Sequence, residues 1–191
     1  VALSGEAGMY SNSASSRSHV LETYNLNKQN LSNVKRDVSP LANAALALAQ
    51  TAREMKAHVS STTGNTRTLV FDRQGGSIQS KDLIKILGSA KDALKGFAAK
   101  AQSLDREIDF FSAHQDGLFR GNMAMIPQAD KVNWCTGQVN KILQRASRLG
   151  ADQAPKVSAA VGSLKQAARF TPQNIQSDLD TKVAALNRRI H

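Results

Sequence analysis

The chain has 191 residues, 41% of them hydrophobic and 5% aromatic, and a formal net charge of +10. That length supports one domain whose apolar core needs no covalent staples. The single cysteine, Cys135, excludes an internal disulfide and a cysteine-rich zinc site, and no apolar run approaches the ~20 residues of a membrane span.

Residues 1–16, VALSGEAGMYSNSASS, are rich in Ser, Gly and Asn and show no hydrophobic period. They read as a flexible leader. The chain opens on Val1 rather than Met and reads as cut from something longer; no secretory signal sequence is apparent. A bundle domain is expected over 17–191. Its first seam steps by four and three through Val20, Tyr24, Asn27, Leu31, Val34, Val38, Leu41, Ala45, Leu48, Ala52, Met55 and Val59. This alternation marks one face of a helix packed in a bundle, here over about 18–60. Asn27 is the polar exception, a residue type that fixes register at some expense of stability. Ser39-Pro40 resembles an N-cap followed by a first-turn proline. Yet the seam keeps phase from Val38 to Leu41, so the first helix is either kinked or broken there.

Segment 61–79 interrupts the helical period. Gly64-Asn65 and Gly75-Gly76 are turn signals and Thr68, Leu69, Val70 and Phe71 are strand formers, which predicts a short structured loop or hairpin. A second helix, about Ser80 to Asp116, follows Leu83, Leu87, Ala90, Leu94, Phe97, Ala101, Leu104, Ile108 and Phe111. A third follows Val132, Cys135, Val139, Ile142, Ala146 and Leu149, with Gly150 as its stop. A fourth starts near Pro155, and the cap-and-proline pair Thr171-Pro172 splits it into 155–169 and 172–190. The expected fold is all-α: an elongated up-down-up-down four-helix bundle, with a kinked or broken first and fourth helix and a short structured loop between the first and second helices.

A bundle of this kind brings no catalytic apparatus of its own. His19, His58, His114 and His191 lack metal-ligand spacing. Asp105, Glu107 and Asp109 lie within five residues; neighbours two apart share no helix face, and an acidic solvated stripe is expected rather than a catalytic pair. Gly75-Gly76 lacks the lysine and spacing of a phosphate loop. Cys135 falls on a seam, where a buried and inert thiol is expected. The chain therefore reads as non-enzymatic, with no cofactor and no metal.

The charge directs attention to anionic partners, and ten of the lysines and arginines fall within 131–191. Up-down topology would bring the loop between the first two helices to the same tip as the corner between the last two. The loop offers Arg67, Leu69, Phe71 and Arg73; the corner offers Arg145, Arg148 and Lys156. Cations interleaved with apolar side chains suit an anionic membrane surface, the cations meeting lipid phosphates and the apolar groups entering the headgroup boundary. A plainer explanation competes: Leu69 and Phe71 cap the core and the arginines are solvated. If the chain turns at Pro40, Lys35, Arg36 and Leu41 join the lipid-binding tip. The opposite end offers His114, Leu118, Phe119 and Arg120. An alternative function is a helical protein-interaction module whose basic face meets an acidic partner. Non-specific nucleic-acid binding ranks third, because most Phe residues sit on seams and no stacking platform is apparent. The oligomeric state stays open.

The leader SGEAGMYSNSASSRSHV, the seam LSNVKRDVSPLANAALALAQ and the basic four-helix layout together resemble the N-terminal lipid-raft-targeting domains of Bordetella type III secreted effectors, the BteA family. The likeness covers nearly the whole chain. It implies a membrane-localisation four-helix bundle, similar to those of large clostridial-type toxins. It implies secretion into a host cell and docking to the cytoplasmic face of the host plasma membrane through phosphoinositides and phosphatidylserine. A Ser-rich export signal, a type III secretion chaperone as a further partner and a separate downstream cytotoxic region complete what the resemblance implies.

Overall fold

A computed structural model of the protein describes residues 17–63, 68–119 and 129–190. The expected leader, 1–16, lies outside them. Among the described residues are four α-helices and one two-stranded antiparallel sheet: α1 (Arg17–Thr63), β1 (Leu69–Phe71), β2 (Ser77–Gln79), α2 (Ser80–Phe119), α3 (Ala129–Ala167) and α4 (Gln173–Ile190). The fold is all-α apart from the short hairpin between α1 and α2.

Of the two possibilities at Pro40, a kink or a break, the break is ruled out, because Pro40 lies inside α1. Its missing N–H leaves the Arg36 carbonyl without its helical donor, while the buried seam continues from Val38 to Leu41. The third helix does not stop at Gly150, and the fourth does not begin at Pro155; both residues lie inside α3. Gln153 explains the misreading. It is buried between Leu149 and Val157, so the inward stripe is continuous in space but polar at the position that would have revealed it. Pro155 stands on the exposed side, where water can satisfy the carbonyl that its ring leaves free.

The break at Thr171-Pro172 is real but divides α3 from α4 instead of splitting a fourth helix. A single 3-10 turn, Ala168–Phe170, ends the long helix. Thr171 is extended (φ −121°, ψ 161°), as the residue before a proline prefers. Its N–H and its hydroxyl both donate to the Ala168 carbonyl, at 3.0 and 2.8 Å. The Gln176 side-chain amide donates back to the Thr171 carbonyl at 2.9 Å.

The chain forms two compact units. One holds three helical segments, 17–39 of α1, 101–119 of α2 and 129–150 of α3. Its core takes Val20, Leu31, Val34 and Val38 from α1, Leu104, Ile108 and Phe111 from α2, and Val132, Cys135, Val139 and Ile142 from α3. Asn27 is buried among them, and its Nδ2 donates to Thr136 Oγ1 at 3.3 Å. The other unit holds 40–63 of α1, the hairpin, 80–100 of α2, 151–167 of α3, and α4. Its core is aliphatic and aromatic: Leu48 and Met55, Leu83, Leu87, Leu94 and Phe97, Leu164, then Leu179, Val183 and Leu186. There α4 is tied to α1 by a polar triangle. Thr51 Oγ1 donates to Asp178 Oδ2 at 3.0 Å, and Lys182 Nζ donates to both, at 3.0 and 2.9 Å.

Candidate functional site

The hairpin belongs to the four-helix unit. Leu69 pairs with Gln79, Val70 with Ile78 and Phe71 with Ser77. Alternation along a strand separates two faces. Val70 and Ile78 are half-buried, whereas Leu69 is 48% and Phe71 62% exposed. The strand β1 is thus apolar on both faces, and its outer face shows two large hydrophobic side chains to solvent. The Ser80 N–H donates to the Thr68 carbonyl at 2.8 Å, so β2 runs into α2 with the hairpin closed at its base.

Asp72 organises the tip. Its Oδ1 accepts from the backbone N–H groups of Gln74 at 2.9 Å and Gly76 at 2.7 Å, a side-chain turn typical of Asp. The Asp72 N–H donates to the Gly76 carbonyl at 2.8 Å. Gly75 has φ +84°, a left-handed conformation that favours glycine. The other carboxylate oxygen accepts from the Arg169 guanidinium in the turn between α3 and α4. That ion pair fastens the hairpin to the helix turn, with the Asp72 side chain only 3% exposed. Burial alone would raise the Asp72 carboxyl. The Arg169 guanidinium and the two backbone N–H groups outweigh it and hold the group below the usual carboxylate range. Arg169 also lies over the Phe170 ring, 5.9 Å from its centroid. A shallow cleft of about 220 Å³ opens here, lined by Asp72, Arg73, Gln74, Arg169 and Gln176.

Of the lipid-binding residues expected from sequence, Leu69, Phe71 and Arg73 share this hairpin, and all three are exposed. Arg67 lies outside the described residues. Arg145 and Arg148 are surface residues of the three-helix unit, within α3 and at no corner. Arg145 is engaged by Glu107. Lys156 is exposed on α3 within the four-helix unit. With α1 unbroken at Pro40, the condition that made Lys35, Arg36 and Leu41 tip residues is not met. Leu41 is a buried core residue. Lys35 is paired with Asp105 at 3.3 Å and Asp109 at 2.7 Å, and Arg36 donates to Asn33 Oδ1 at 3.0 Å. At the opposite candidate end, the side chains of Leu118 and Phe119, and all of Arg120, lie outside the described residues. Sequence reading missed Arg169. Its signal was the ARFTP run, a basic and an aromatic residue directly before the cap-and-proline pair that forms the true turn.

Burial pushes the Cys135 thiol up to about 11, so it stays protonated and unreactive at neutral pH. Among the described residues no three His, Cys, Asp or Glu side chains gather as metal ligands, and no helix is long and apolar enough to cross a membrane. No protein-family model, no curated protein and no solved structure matches the chain.

Proposed function

We propose that the chain is a non-catalytic targeting module that binds anionic membrane lipids, phosphoinositides and phosphatidylserine, through the hairpin and the α3–α4 turn of its four-helix unit. The observation that carries this reading is the outward pair Leu69 and Phe71 beside the exposed Arg73, on a hairpin that the Arg169–Asp72 ion pair holds in place. Two large apolar side chains on the outer face of a hairpin strand gain nothing from water. Entering the headgroup boundary, each buries the half or so of its surface that is still exposed, roughly half of the ~1.5–3 kcal/mol that full burial of such a side chain is worth. Arg73 adds about 1 kcal/mol at an anionic surface. The reading takes the four helices to alternate in direction, so that this end faces the membrane. The resemblance to the lipid-raft-targeting domains of type III effectors supports the same assignment. It extends it to a secreted virulence protein acting at the cytoplasmic face of a host plasma membrane.

The test is co-sedimentation with vesicles of neutral lipid alone, and with added phosphatidylserine or a phosphoinositide, at low and physiological salt. Binding should require anionic lipid and survive physiological salt. Phe71→Ser with Leu69→Ser should remove the salt-resistant part. Arg73→Glu changes the local charge by two and should lower partitioning roughly 30-fold, about 2 kcal/mol. Undiminished binding by helical, folded variants would refute the hairpin assignment.

A further inference from the structure

The three-helix unit carries a second surface that the hairpin reading leaves unused. Phe110 on α2 is 73% exposed and Trp134 on α3 47% exposed. The Phe110 ring stacks on His114 with 6.4 Å between centroids and 6° between planes. His114 meets Trp134 edge-on at 5.6 Å, and Trp134 leans on the buried ring of Phe111 at 5.8 Å. The patch is therefore anchored to the core at one side and open to water at the other.

Its surroundings are cationic. Lys131, Trp134, Gln138, Lys141, Arg145 and Arg148 follow one another at steps of three and four, so they form one stripe of α3. Residues 131–150 contain four lysines and arginines and no carboxylate. Arg145 is engaged by Glu107, while Lys131, Lys141 and Arg148 are exposed. The α2 carboxylates nearby are already taken. Asp105 and Asp109 face Lys35, and Asp116 accepts from the Tyr24 hydroxyl at 2.6 Å with Lys28 at 3.6 Å. An aromatic centre bordered by cations has the anatomy of a protein interface, where aromatic residues and Arg concentrate and Trp is prominent among the residues that supply most of the binding energy.

We infer that this face docks an acidic polypeptide helix, with apolar side chains on the aromatic trio and carboxylates on Lys131, Lys141 and Arg148. The stripe from Lys131 to Arg148 spans about 25 Å at ~1.5 Å per residue, the length of a helix of about 17 residues. The rings pack against one another, which suits the side of a helix better than separate nucleobases, each of which needs an open ring face. A second copy of the same face would bring like charges together.

Trp134 is the chain's one tryptophan, so its emission reports directly on whether the patch is covered. The probe is a synthetic Trp-free peptide of about 18 residues, with Leu at helical i, i+3, i+4, i+7 spacing and Glu flanking that face. Titrated into the full chain at physiological salt, it should bind saturably and shift Trp134 emission to the blue. Phe110→Ser should weaken binding roughly tenfold. Lys131→Glu with Lys141→Glu should abolish it and restore binding to a peptide bearing Lys in place of Glu. Leu69→Ser with Phe71→Ser should leave it unchanged, which separates this face from the hairpin. Three results would overturn the inference. One is no saturable binding by the folded wild-type chain. Another is binding indifferent to Phe110→Ser. The last is a Trp134 response to anionic vesicles or to a single-stranded oligonucleotide that exceeds the response to the peptide.

Discussion

The two units share three helices and solve the packing problem differently. The four-helix unit buries Leu, Met, Phe and Ala with the polar Thr51, Ser80, Gln153 and Thr171 among them, and its buried Thr51 is satisfied by Asp178 and Lys182. The three-helix unit buries Asn27, Asn30 and Gln115. Four of their side-chain atoms, Asn27 Oδ1, Asn30 Nδ2 and both polar atoms of Gln115, have no hydrogen-bond partner among the described residues. Each such orphan costs about 1–3 kcal/mol. One seam pattern thus yields a core whose Thr51 is paired and one in which four buried polar atoms have no partner among the described residues. Apolar periodicity reports which residues face inward, but it does not report how well they are satisfied there.

The largest expected effect belongs to the four-helix core. Phe97→Ala removes a fully buried ring and should lower unfolding stability by about 3–5 kcal/mol in urea titrations. A loss below about 1.5 kcal/mol would mean that this core is not closely packed around Phe97. A smaller effect of opposite sign is expected in the three-helix unit. Gln115→Leu replaces a buried amide with no partner among the described residues and should raise stability by about 1–2 kcal/mol; a decrease would break the contrast.

The smallest effects are in pH dependence. In the four-helix unit the Lys182 ammonium, aided by the Thr51 hydroxyl, holds the Asp178 carboxyl below its usual range against its partial burial, and Asp72 is held low as well. Their contributions are present above a carboxylate's unfolded value of ~4 and disappear as pH falls through the lower folded values. In the three-helix unit the Asp109 carboxylate raises Lys35, with burial opposing and Asp105 adding to the rise. That contribution is present below ~10.4 and is lost as pH climbs through the raised folded value. Melting temperatures should therefore fall at the acid end in a way that Asp72→Asn and Asp178→Asn flatten. At the alkaline end Lys35→Met should flatten the fall instead. Exchanged assignments, with Lys35→Met altering only the acid limb, would contradict the ion pairing described.

Much of the helical core was legible because its signal is periodic: Val20 through Val59, Leu83 through Phe111 and Val132 through Leu149 point inward as spaced. The α3–α4 boundary was not. Gly150 and Pro155 resemble a stop and a start, while the residue that bridges them, Gln153, is a polar side chain in a buried position. The hairpin was half legible. Strand formers and Gly75-Gly76 located it, but the Asp72–Arg169 pair joins residues 97 apart in sequence, and no local pattern encodes that. The aromatic face was available and overlooked. Phe110 and Trp134 each sit one residue off a seam position, Phe111 and Cys135, which places them away from the core line.

A Cβ added to Gly76 would lie 2.6 Å from Asp72 Oδ2 and 3.2 Å from an Arg169 guanidinium nitrogen. Any larger residue at 76 must therefore displace the very carboxylate that reaches Arg169. Positions 72, 76 and 169 should consequently drift together in related chains. Where Asp72 or Arg169 has been replaced, the requirement for glycine at 76 relaxes. Where both remain, glycine persists however much the rest of the hairpin diverges.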